Sequence, residues 1–145
     1  MILLSATMAG MLVAAAAAEQ AAIVVAAADS PVKIGKATVL TVAGDPPVVL
    51  YSATNQTSED LEQFTVEVFI FDAKGILKTQ QMAPGRRTLE AKSTKYSTIV
   101  LDGGPVDPAG SIVICINQAQ RVNSDDWWRT DLRKAAEAAV PPKKP

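Results

Sequence analysis

The sequence predicts an all-β fold, an antiparallel β-sandwich of about seven strands closed by a short C-terminal helix. Three observations carry this. From Pro31 onward, turn residues punctuate the chain at intervals of about 8 to 12 positions, the spacing expected of sandwiches and barrels. Phe64-Thr65-Val66-Glu67-Val68-Phe69-Ile70-Phe71 alternates with a period of two, so that Phe64, Val66, Val68 and Ile70 share one face. No long amphipathic helix breaks the run of strands before Arg121. At 145 residues and 15.3 kDa there is room for one domain.

Taken in order, residues 1–28 come first as a signal peptide or N-terminal hydrophobic segment. Met1 to Ala28 holds no Lys or Arg, and Glu19-Gln20 is its only strongly polar interruption. An apolar stretch ending in small residues is how an export signal is built, with cuts that fit after Ala18 or after Ala28. The basic n-region is missing. An uncleaved membrane anchor and an apolar soluble segment are the other readings; Glu19 counts against the anchor, because an acid near the bilayer centre costs roughly 2.5 to 3.5 kcal/mol.

Residues 29–122 form the predicted sandwich. Its first strand runs from Val32 to Val42 and is stopped by Pro46-Pro47, which deny ladder donors. Val48 to Thr54 follows and closes at a polar loop beginning Asn55-Gln56-Thr57. These three residues match a glycosylation acceptor pattern and read better as a turn. After Phe64 to Phe71, Asp72-Ala73-Lys74-Gly75 is a tight turn, with Asp accepting from the backbone and Gly supplying positive φ. Ile76 to Met82 is the return strand. Arg87 to Ala91 and Thr94 to Leu101 are two more, and Ser111 to Ala119, apolar on both parities through Ile116, reads as a central strand.

Residues 123–140 change character. Asn123-Ser124-Asp125-Asp126 offers N-cap chemistry, and Thr130 to Val140 has helix-forming composition, so one or two helical turns are expected before Pro141-Pro142. Residues 141–145 are expected to be a disordered tail.

The chemistry is mostly negative. The chain has no histidine, which removes the commonest general base, the Ser/His and Cys/His nucleophile pairs and the usual transition-metal ligands. Cys115, the single cysteine, lies in an apolar run and reads as a buried small hydrophobe; an intermolecular disulfide is the sharper alternative. Glu59, Asp60, Glu67, Asp72, Asp102, Asp107, Asp125 and Asp126 are the carboxylates to weigh. All but Glu67 fall in predicted turns, where Asp serves the local backbone, and none has a recognisable calcium-ligand spacing. Without Glu19, 14 Lys plus Arg face 14 Asp plus Glu, a neutral balance that argues against nucleic acid and against a polybasic membrane surface. No catalytic residue, cofactor or metal is therefore expected. Any membrane contact would come only through an uncleaved N-terminal segment.

The stretch from Asn55 to Gly75 carries an Asn-led turn, alternating hydrophobics, the step Ile70-Phe71-Asp72 and a glycine turn. In this it resembles bacterial envelope immunoglobulin-like domains of the FxLYD type. Valine stands here where the family label has phenylalanine, and phenylalanine where it has tyrosine. The resemblance implies an immunoglobulin-like sandwich and an exported, periplasmic or extracellular compartment, with no common catalytic residues. The expected function is a non-catalytic envelope protein, a protein-protein interaction or scaffolding module. Its contact surface is expected at sheet edges or at Trp127, Trp128 and Arg129, where one indole plugs the sandwich and the other lies exposed. A small-ligand, glycan or calcium-binding sandwich is the alternative.

Overall fold

The computed structural model describes residues 17–142. The expectations for residues 1–16 and 143–145 lie outside the described residues. Within them, nine strands form two facing sheets, and one helix follows. Sheet one is ordered β1 (Ala17–Ala21), β3 (Val32–Val42), β4 (Val48–Asn55), β7 (Thr94–Val100). Sheet two is ordered β2 (Ile23–Val25), β8 (Ser111–Arg121), β5 (Leu61–Phe71), β6 (Leu77–Pro84), with the two-residue β9 (Trp127–Trp128) also paired to β8. Helix α1 spans Leu132–Ala139. The pairing is antiparallel except for β2 against β8, which is parallel.

The sandwich begins earlier than its sequence suggests, which corrects the boundary at residue 29. β1 pairs with β3 from Ala17↔Val42 to Ala21↔Thr38, and β2 joins β8 from Ile23↔Val113 to Val25↔Cys115. Between them the chain crosses from one sheet to the other at Ala22. Residues 17–25 therefore serve as strand, and the apolar run Ile23–Val25 reflects packing on both sides of β2. Val24 packs against the core between the sheets, while Ile23 and Val25 pack under the helix.

Alternation holds where it was read. Phe64, Val66, Val68 and Ile70 of β5 and Ile112, Ile114 and Ile116 of β8 all enter the core between the sheets. The opposite faces of the same strands supply Phe69, Phe71, Val113 and Cys115, which pack beneath Leu132 and Ala136 of α1. This is why β5 and β8 are apolar on both faces: a sheet covered on each side must bury both.

Two expectations move. Arg87 to Ala91 is not a strand, and only Leu89 bridges to Leu61, because Thr88 (φ 55°) and Lys92 (φ 58°) take left-handed conformations that break an extended run. The C-terminal segment is helical only from Leu132, since Trp127–Trp128 is extended and paired to β8. The Asp72 turn is as read. The Asp72 carboxylate accepts from Lys74 N (2.8 Å) and Ile76 N (2.9 Å), and Gly75 takes φ 73°. These bonds hold the Asp72 carboxyl below its ordinary range.

Candidate functional site

The residues singled out at the C-terminal end have unequal positions. Trp127 is buried against the core and its indole N–H donates to Asp29 Oδ2 at 3.0 Å, so it is the plug. Trp128 is 60 % exposed beside Gln118. Arg129 is occupied structurally. Its Nε pairs with Asp131 Oδ1 at 2.9 Å and its Nη1 donates to Ala26 O at 3.3 Å, which ties the chain after β2 to the chain after β9. This end therefore offers one indole rather than a surface.

Three of the candidate carboxylates, Asp60, Asp72 and Asp107, are consumed by the backbone. Asp60 accepts from Ala91 N, and Asp107 accepts from Ala109 N and Ala73 N. Among the described residues, no three Cys, Asp or Glu side chains come together as a metal site would need. Glu67 is different. It lies on the outer face of β5, is only 7 % exposed, and accepts from Gln80 Nε2 (3.1 Å) and Asn117 Nδ2 (3.3 Å), with no cation among the described residues paired to it. Desolvation raises its carboxyl above the ordinary value, opposed by the Asn117 bond. Cys115, its cross-strand neighbour, is buried under α1. Burial, with the Glu67 charge adding to it, pushes the thiol up to about 12, so it stays protonated and inert.

Asn55 organises the loop that follows it. Its amide N–H groups donate to Glu59 O (2.8 Å) and Leu89 O (3.0 Å), and its carbonyl accepts from Thr57 N and Thr57 Oγ1. The residue is fully buried, so the glycosylation pattern here is a turn.

The most suggestive surface is one the sequence did not single out, the outer face of sheet one. Directly opposed residues in a sheet share a face. The register therefore puts Leu40, Val48 and Val100 in one row, Thr38, Leu50 and Thr98 in the next, and Ser52 beside Tyr96 in a third. Leu50 is 38 % exposed, Val100 56 % and Tyr96 75 %. The rows border a hollow of about 460 Å³ whose lining includes Glu19, Lys36 and Arg86, charges of both signs around an aliphatic and aromatic centre. Tyr51 and Ser97 also border it, but they are register partners on the opposite face, where Tyr51 packs into the core between the sheets. Desolvation raises the Tyr51 phenol above its ordinary range, against the opposing pull of Ser97 and the Arg86 charge.

At the free edge of β7, two carbonyls are capped by side chains. Arg86 Nε donates to Tyr96 O at 3.0 Å and Gln81 Nε2 to Val100 O at 2.8 Å, so edge pairing is partly blocked while the face stays open. No protein-family model matches the sequence, and no curated protein matches it.

Proposed function

We propose that this chain is a non-catalytic, exported binding module of the immunoglobulin-like kind that takes a protein partner on the outer face of sheet one. The observation that supports this best is the patch formed by Leu50, Tyr96 and Val100 on a sheet face with no helix over it among the described residues, rimmed by mixed charge. An aromatic and aliphatic centre within a polar rim is the composition of interface hot spots. The capped edge of β7 favours side-chain docking on the face over strand addition at the edge.

Export through cleavage after Ala18 fits this reading, because it leaves β2 and Glu19–Ala21 in place, whereas cleavage after Ala28 deletes both N-terminal strands. N-terminal sequencing of the mature protein is expected to begin at Glu19. A start at Asp29 would contradict it.

The partner surface is tested by immobilising the protein and retaining components of envelope extract. The double variant Leu50→Ala, Tyr96→Ala is expected to keep its circular dichroism and melting temperature while losing the component that the wild type retains. Retention by the variant equal to wild type would move the contact elsewhere, with Trp128→Ala as the next variant to measure.

A further inference from the structure

β1 covers only part of β3. Their pairing ends at Ala21↔Thr38, after which Ala22 N donates to Ala37 O and the chain leaves for sheet two. The first residues of β3 are thus a sheet edge. Asn55 N donates to Ser93 O, on the β7 side, so Asn55 and, two residues earlier, Ala53 aim their amides away from β3. Their register partners Val32 and Ile34 therefore aim theirs away from β4. At Val32 both groups are capped by one side chain, since Ser30 Oγ donates to Val32 O (2.8 Å) and accepts from Val32 N (3.2 Å). Among the described residues, Ile34 has neither a capping side chain nor a neighbouring strand.

Ile34 borders a cleft of about 310 Å³ between this edge and a strap of three alanines, Ala26–Ala28. Its other walls include Val24, Val32, Ile116 and Trp127, so it opens toward the core between the sheets. Methyl side chains on the strap leave the space that larger ones would fill. The strap is held in place by Arg129 Nη1 to Ala26 O, Ser30 N to Ala27 O and Trp127 Nε1 to Asp29 Oδ2. The cleft is thus preformed and largely apolar, with Ser30, Lys33, Gln56 and Arg129 also on its lining, and among the described residues it has one unpaired donor and one unpaired acceptor side by side, which are the features of a small-molecule site.

We infer that this cleft binds a small apolar molecule carrying an amide, with its ring or branched chain between Val32, Ile116 and Trp127 and its amide completing the edge at Ile34. An apolar cavity of about 150 Å³ accommodates benzene. A cleft of about 310 Å³ has space for a ring and an amide together.

The test uses the full chain carrying Trp128→Phe, which leaves Trp127 as its one tryptophan, titrated with 4-bromobenzamide. The bromine quenches an indole on contact. The expected result is saturable quenching, a melting temperature that rises with ligand, and a 1H–15N shift at Ile34 that saturates with the same constant. Bromobenzene, lacking the amide, is expected to bind at least about threefold more weakly, the effect of one or two net hydrogen bonds. Ala27→Leu, which narrows the cleft, is expected to abolish saturation. Linear quenching unchanged by Ala27→Leu would overturn the site. Saturable quenching without a shift at Ile34, or with equal affinity for the two probes, would overturn the amide assignment. Should Ala27→Leu not fold, the Ile34 shift and the probe comparison decide the matter alone.

Discussion

The outer faces of the two sheets have opposite treatments. Helix α1 covers that of sheet two, where Phe69, Phe71, Val113 and Cys115 form a second small core with Leu132 and Ala136. Among the described residues sheet one has no such cover, yet its outer face still displays Leu50, Tyr96 and Val100. A sheet face that is solvated in a monomer is usually polar, as the alternation of a half-buried strand demands. Apolar residues on the covered face are explained by the fold; those on the bare face are not, and that difference is why we propose binding for the bare face.

The contrast can be broken first on the covered side. Phe69→Ala removes a fully buried ring beneath the helix, and a loss of about 3–5 kcal/mol is expected from equilibrium urea unfolding. Leu132→Ala, on the helix itself, is expected to cost about 2–4 kcal/mol by the same measurement, since the residue is nearly as buried. A loss below about 1 kcal/mol at Leu132 would mean that α1 rests on the sheet without contributing to its stability.

A smaller effect is expected at Glu67, the carboxylate on the outer face of sheet two. Its folded-state value is raised above the unfolded one, so the protonated form is the one folding favours. The stability it contributes is present below the ordinary carboxylate value and is lost as pH rises through the raised one. Urea midpoints measured from pH 4 to pH 8 should therefore fall with rising pH more steeply in wild type than in Glu67→Gln, with the variant the more stable at pH 8. Parallel curves would show that Asn117 and Gln80 fully compensate the burial.

The smallest stability effect belongs to the bare face. Tyr96→Ala is expected to change unfolding free energy by no more than about 0.5 kcal/mol, because an exposed side chain has little burial to lose.

Much of the fold was legible because it rests on local rules. The first strand, Val32–Val42, matches in full, and the Asp72 turn follows from how Asp and Gly meet the backbone. The double-sided burial of β8 was visible in the apolar run from Ile112 to Ile116. What escaped was tertiary in origin. Ala17–Val25 has the composition of an export segment, and only pairing with β3 and β8 makes it strand. Trp127–Trp128 is extended because Ala119 and Gln118 provide a partner edge. The patch on sheet one was masked for a similar reason. Val48-Val49-Leu50-Tyr51 is apolar on both parities, which by itself suggests two buried faces, and the structure buries only the Val49 and Tyr51 side.

The division of labour between the faces is tested most directly by placing a photoreactive phenylalanine analogue at position 96 on the bare face and, separately, at position 134 on the solvent side of α1, and irradiating living cells. A discrete protein adduct is expected from position 96 and none from position 134. An adduct from position 134 with none from position 96 would contradict that division.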